Sequence, residues 1–279
     1  MKKNKINERR EAKRRLNAYM NNKKEYGIIH YTCQSFYDDL CGKSPRIVAI
    51  CILLPFYGQT ATFSIPSIAE EKGIELSSAT DAQLDILEAD MLRQYYDYLS
   101  AHTYIEKWIH WNMRDNNFGF QAIDHRFTVL TKCAPPVQIS DEHKLNLAWL
   151  IKGLYGPNYA KDPKLVNLLT LNDIHPKNLL SGADEANAFA DRHYLSMVRS
   201  AHAKVGCFAT LIERAIDNDL KTDSHVFRDV YGLTLSGMIS YVKDNAALAF
   251  ISMVIGTLLL NFLSNIVWGK WLARLFNLS

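Results

Sequence analysis

AALAFISMVIGTLLLNFLSNIVW, Ala246 to Trp268, runs for 23 residues without a charge. As a helix rising 1.5 Å per residue it would measure about 34 Å, against a hydrocarbon core of about 30 Å. The stretch is expected to be a transmembrane helix, and the rest of the chain is read as what that helix carries. The competing reading is the last core helix of a soluble protein, which the length and the lack of charge disfavour. Trp268 and Trp271, with Lys270 and Arg274 among and beyond them, suit an interfacial belt. Lys243 before the stretch and Lys270 with Arg274 after it are too balanced to orient the helix.

Polar exceptions inside the stretch fall in register. Thr257, Asn261, Asn265 and Gly269 recur every four residues and so share one side of a helix, with Ser252 and Gly256 beside them. Amides facing lipid are costly, so Ser252, Gly256, Thr257, Asn261 and Asn265 are expected to face another copy of the helix or a wet path. A homo-oligomer in the membrane is the partner state this implies.

Outside the membrane stretch, composition supports a folded, cytosolic domain. The 279 residues are 48% hydrophobic and carry a net charge of +3. Residues 1–24 hold ten Lys or Arg against Glu8 and Glu11, a local net of +8, so the remainder carries −5. No apolar run follows that segment as in a secretory signal. A basic terminus of this kind binds phosphate backbones or anionic headgroups, or is simply a solvated helix start. Cys33, Cys41, Cys51, Cys133 and Cys207 are odd in number and contain no CxxC, which indicates neither a disulfide framework nor a zinc site.

Working back along the chain, YGIIHYTCQSF (Tyr26 to Phe36) alternates, DDLCGKSP (Asp38 to Pro45) is turn chemistry, and RIVAICILL (Arg46 to Leu54) is a continuous apolar run. QTATFSIPS (Gln59 to Ser67) supplies a third strand. Asp81 to Ser100 switches to helical spacing behind an N-cap at Thr80 or Asp81. Tyr104 to Trp111 reads as a strand and Gln121 to Val129 as a helix; beyond Pro135 and Pro136 the pattern is helical throughout, over Glu142 to Tyr155, Pro163 to Leu171 and Ala183 to Asp217. The order β-β-β-α-β-α followed by helices predicts an α/β domain whose first three strands form a meander. The expected organisation is a basic tail over 1–24, the α/β domain over 25–230, a linker over 231–245, the transmembrane helix over 246–268 and a short tail over 269–279.

That order resembles the ribonuclease H-like 3′–5′ exonucleases of the DEDD type, over roughly residues 26–217. The resemblance implies a mixed sheet with a helical C-terminal half and four carboxylates around two magnesium ions. In the family the first strand carries Asp-x-Glu-Thr; here Thr32-Cys33-Gln34-Ser35 stands in its place, so Thr32 and Gln34 replace two metal ligands. In the loop after the fourth strand, Trp111-Asn112-Met113-Arg114-Asp115 keeps an Asn and an Asp near the family spacing. Asp184 or Glu185 falls near the place of the last carboxylate, without the His that should precede it. A hydroxyl and an amide are poor substitutes for anionic oxygen ligands, so the nuclease chemistry is expected to be absent or crippled. The alternative is a magnesium-dependent exonuclease using Asp115, Asp184 and Glu185; otherwise no cofactor is expected.

His110, Trp111, Asn112, Arg114 and Asp115 form a polar and aromatic cluster at a strand end, where α/β sheets bind ligands. Of these, His110, Trp111, Asn112 and Arg114 make the expected partner-binding set with Thr32 and Gln34, unless Asn112 or Asp115 merely caps the next helix. His193, Arg199, His202 and Lys204 on the late helix read as a solvated stripe. The whole arrangement looks like that of bacterial anti-phage effectors, in which a soluble module controls a short membrane segment, including the membrane proteins encoded beside retron reverse transcriptases. That likeness implies the bacterial inner membrane, a cytoplasmic soluble domain, and an inhibitory partner such as nucleic acid or a reverse-transcriptase complex. A plain membrane adaptor is the remaining reading.

Overall fold

The computed structural model describes residues 5–34, 44–113 and 118–275. In chain order its elements are α1 (Lys5–Asn21), β1 (Tyr26–Cys33), β2 (Ile47–Leu54), β3 (Gln59–Ser64), α2 (Ile65–Lys72), α3 (Asp81–Ala101), β4 (Lys107–His110), α4 (Phe120–Thr131), β5 (Lys144–Asn146), α5 (Leu147–Tyr155), α6 (Lys164–Leu171), α7 (Gly182–Ala190), α8 (Tyr194–Ile216), α9 (Leu235–Asp244) and α10 (Ala246–Leu275). The architecture is mixed α/β around a five-stranded mixed sheet.

The meander forms as its alternation requires. β1 pairs antiparallel with β2, Ile28 opposite Leu53 and Thr32 opposite Ala49, and β2 pairs antiparallel with β3. The chain then crosses over through α2 and α3 and returns with β4 parallel to β1, Ile28 opposite Ile109. β5 adds in parallel at the edge, which gives the order β3-β2-β1-β4-β5. A parallel return needs a crossover of a dozen or more residues, and the two helices between β3 and β4 supply it.

Alternation along the strands sorts the core into two layers. Ile29, Tyr31, Ile50, Ile52 and Trp108 pack toward α2, α3 and α4, while Ile28, Cys51, Ile109 and Leu145 pack toward α5 and α8. β1 and β2 are buried on both sides, as their near-continuous apolar sequence demands. α3 is held at its start by a reciprocal capping box between Thr80 and Gln83.

Residues 5–21 of the basic N-terminal segment form a packed helix. Ala12, Leu16 and Tyr19 of α1 are buried against the layer that contains α5. The approach is close enough to require a glycine: a Cβ on Gly153 would stand 2.9 Å from Ala12 Cβ and 3.1 Å from the Glu8 carbonyl oxygen. At the other end of the domain, a π-helical turn over Phe227–Tyr231 leads into α9. Gly237 sits where a Cβ would collide with the Tyr231 carbonyl oxygen, so α9 lies directly on that turn.

Four expectations are corrected. Gln59 to Ser67 is strand only to Ser64, whose hydroxyl caps α2 by accepting from Ser67 N. Glu142 to Tyr155 contains the edge strand β5 before its helix; three residues, Lys144-Leu145-Asn146, are too short for a period to declare itself. Ala183 to Asp217 is two helices, because Arg192 adopts a left-handed backbone (φ 58°) between them. Its guanidinium donates to the carbonyls of Leu76, Ser77 and Ala79, and these bonds offset a strain of about 1–2 kcal/mol. Asn112 does not cap the helix after β4, which starts at Phe120 behind Gly119.

Candidate functional site

β1, β4 and β5 run parallel, so their carboxyl ends lie on one edge of the sheet, the position at which α/β folds bind ligands. His110 and Asn146 are register partners at the ends of β4 and β5, and Lys144 lies on the same face two residues earlier. A cleft of about 240 Å³ opens there, lined by His110, Met113, Phe120, Gln121, Asp141, Lys144 and Asn146.

Local geometry fixes each wall. The Met113 N–H donates to His110 Nδ1 at 3.1 Å, which leaves the proton of the neutral ring on Nε2. Asn146 caps α5 by accepting from Ala148 N and Trp149 N, and its side chain also accepts from Asn112 N and donates to Asn112 Oδ1, both at 3.3 Å. Those bonds hold Asn112 in the left-handed region, φ 53°, and set the course of the chain after β4. Lys144 Nζ lies 2.7 Å from Asp141 Oδ1 and 5.0 Å from the Phe120 ring centroid. The lining thus offers hydrogen-bond donors, one cation and one carboxylate among the described residues. A second groove of about 260 Å³ shares Lys144 and is lined also by Arg14, Arg15, Lys107 and Glu142, which brings α1 to the border of the cleft.

The opposite face of the sheet holds a buried polar node. Lys204 Nζ is 2.7 Å from Glu185 Oε1, which also accepts from the Ser200 hydroxyl at 3.0 Å. His30 and Thr32 of β1 point to this face; neither the His30 ring nitrogens nor Thr32 Oγ1 has a hydrogen-bond partner among the described residues. Burial, with the Lys204 ammonium and His110 nearby, pushes the His30 imidazole well below its ordinary pKa, so the ring is neutral at pH 7. Nothing in the sequence flagged His30, and Lys204, read as part of a solvated stripe, is buried; Arg199 and His202 do face solvent.

The residues expected to bind a partner are not gathered on one surface. His110 lines the cleft and Asn112 shapes it. Trp111 points the other way and stacks on Phe208, ring centroids 5.9 Å apart, and Thr32 is fully buried. Gln34 follows β1 and donates its N–H to the Arg46 carbonyl at 2.8 Å. Arg114 and Asp115 lie outside the described residues. Of the carboxylates in the nuclease alternative, Asp184 completes the capping box of α7 with Ser181 and Glu185 is taken by Lys204. Among the described residues no three His, Cys, Asp or Glu side chains are grouped to hold a metal ion, and Asp184 and Glu185 are engaged within the fold instead.

In α10 a 20-residue window, Ala247–Ile266, has a mean hydropathy of 2.1 and none of it is buried in the molecule. Ser252 and Thr257 return their hydroxyls to the carbonyls of Ala249 and Met253, at 2.8 and 2.9 Å. Gly256 leaves open space beside them. The side-chain amides of Asn261 and Asn265 make no hydrogen bond among the described residues. Below this helix, Asp244 ends α9 and accepts from Arg10 of α1 and from the Tyr231 hydroxyl.

No family model matches this chain, and neither a curated protein nor a solved structure matches it.

Proposed function

We propose that the protein is a membrane-anchored effector in which the α/β domain senses or binds a partner and α10 acts on the membrane. The observation that carries this reading is the fully exposed apolar helix. Single exposed apolar residues are ordinary on a soluble surface, but a 20-residue helical window with a mean hydropathy of 2.1 and none of it buried needs a lipid or protein covering, and the length matches a bilayer. The two amides without partners on α10 favour assembly of several copies, since in hydrocarbon an amide is stabilised by a neighbouring helix.

In this reading the soluble domain, in the bacterial cytoplasm, holds an inhibitory partner at the strand-end cleft, with His110, Lys144 and Asn146 as its polar contacts. Release lets α10 helices associate through Ser252, Gly256, Thr257, Asn261 and Asn265 and breach the inner membrane. The meander, crossover and parallel β4 and β5 support the ribonuclease H-like layout, with the metal carboxylates replaced by a binding surface. The plan is similar to that of anti-phage effectors, including those associated with retrons, and nucleic acid or a reverse-transcriptase complex is the partner that likeness suggests.

The test is inducible expression in bacteria of the chain and of an Asn261→Leu, Asn265→Leu variant, with membrane potential followed by a dye. The expected result is depolarisation by the parent and none by the variant, although both insert. Equal depolarisation by the variant would remove the polar stripe from the mechanism. Magnesium-dependent release of nucleotides, lost on Asp115→Ala, would replace the proposal with a tethered 3′–5′ exonuclease.

A further inference from the structure

With α10 spanning the bilayer, the hydrocarbon boundary begins near Ala246, two residues beyond Asp244. Arg10 Nη2 lies 3.0 Å from Asp244 Oδ1, and Lys13 lies in the field of the same carboxylate. The middle of α1 is therefore about one helical turn from the membrane. Arg10, Arg14 and Asn17 are exposed and fall on the side of α1 opposite the buried stripe of Ala12, Leu16 and Tyr19, with the half-buried Lys13 at the border of that side. The six Lys and Arg of α1, together with Lys243, meet only Glu8, Glu11 and Asp244 in those segments. Those acids are already engaged: Asp244 by Arg10 and Tyr231, Glu11 by Arg14 and Arg15.

We infer that the outer face of α1 lies on the membrane and binds anionic lipid headgroups, fixing the soluble domain against the leaflet; the inference rests on α10 being a membrane helix. Position selects lipid over nucleic acid as the polyanion. The basic face is tied by a short ion pair to Asp244, two residues before the chain enters the bilayer, so headgroup phosphates are at hand wherever the helix is inserted. Each cation at an anionic surface strengthens such contact roughly fivefold at low salt, and the effect is screened within a Debye length. The same docking presents the groove between α1 and β5 close to the membrane, so a partner bound there competes with lipid for Arg14.

The experiment uses the full chain in lipid nanodiscs, with a fluorophore on Asn17→Cys in a Cys41→Ser, Cys133→Ser background and a spin label on the lipid headgroups. Quenching is compared between zwitterionic discs and discs with about one-third anionic lipid. The expected result is at least a twofold rise in quenching with anionic lipid, abolished by 0.5 M salt and by Lys13→Gln with Arg14→Gln. Quenching that is equal in the two discs, in chain that still co-elutes with them, would overturn the docking of α1 while leaving α10 in the membrane. Failure to co-elute with discs would overturn the membrane reading itself. Relief of quenching by duplex DNA at equal phosphate concentration would assign the face to nucleic acid.

Discussion

Arg10 and Asp244, 234 residues apart, form a two-pronged ion pair in which the guanidinium Nε and Nη2 both donate to the carboxylate, at 3.0 to 3.3 Å. The pair joins the first helix of the domain to the last residue before α9 gives way to α10. Burial pushes the Asp244 carboxyl up, but the bonds from Arg10 and Tyr231 outweigh it and hold the group below its ordinary value. A carboxyl lowered on folding stabilises above its unfolded value, about 4, and loses that contribution as pH falls through the folded one. Because Arg10 is half exposed, Asp244→Ala should cost no more than about 1 kcal/mol globally. Its effect should be local, a severalfold faster amide exchange over residues 5–13 in the full chain; unchanged exchange would show that the pair does not tether α1.

α1 should also be displaceable from its other side. A Cβ at Gly153 meets Ala12 and the Glu8 backbone inside van der Waals contact, so Gly153→Val pushes α1 off α5. Overpacking of this kind costs about 1–3 kcal/mol. The expected readout is faster tryptic cleavage within α1 with cleavage of α3 unchanged.

A neutral histidine buried with no hydrogen-bond partner among the described residues makes stability depend on pH. His30 binds a proton readily when unfolded and poorly when folded, so stability falls as pH drops below its unfolded value of about 6.5, by up to about 1.4 kcal/mol per pH unit. Lys204 and His110 act on it in the same direction. His30→Leu, set beside Phe118 and Phe208, removes the unpaired nitrogens and should flatten the profile between pH 5 and 6.5 in detergent-solubilised chain. A variant with the parent slope would place the titrating group elsewhere.

The strongest single loss of stability is expected at Glu88. Its carboxylate is fully buried and accepts from Arg126 at 2.6 and 2.8 Å and from Ile47 N at 2.7 Å, with Arg46 within 3.7 Å. Glu88→Ala strips Arg126 and Arg46 of their buried partner and leaves them only the half-exposed Asp85, at 2.9 and 2.6 Å, a loss of about 3 kcal/mol. Thermal unfolding checks it; a loss below 1 kcal/mol would mean that water reaches the arginines.

The elements with long, consistent patterns were legible in the sequence. The alternation of Tyr26 to Cys33, the apolar run of Ile47 to Leu54 and the Thr80 cap with its helical period produced β1, β2 and α3 close to their observed bounds. α10 followed from length and lack of charge. What was hidden depends on tertiary contact. Lys144 to Asn146 is a strand only because β4 offers an edge, and Arg192 breaks a helical run only because three distant carbonyls accept from it. At the site, the polar cluster after β4 pointed to the edge of the sheet where the cleft opens, yet adjacent residues such as His110 and Trp111 face opposite sides of it. The cleft is completed by Gln121, Asp141, Lys144 and Asn146, none of which carries a motif.

The central claim is that Ala246–Leu275 places this chain in a membrane. The most direct measurement is alkaline carbonate extraction of membranes from bacteria expressing either the full chain or a chain ending at Asp244. The account predicts that the full chain stays in the pellet and the shortened chain passes wholly to the supernatant, folded and monomeric. Release of the full chain by carbonate, or retention of the shortened one, would contradict it.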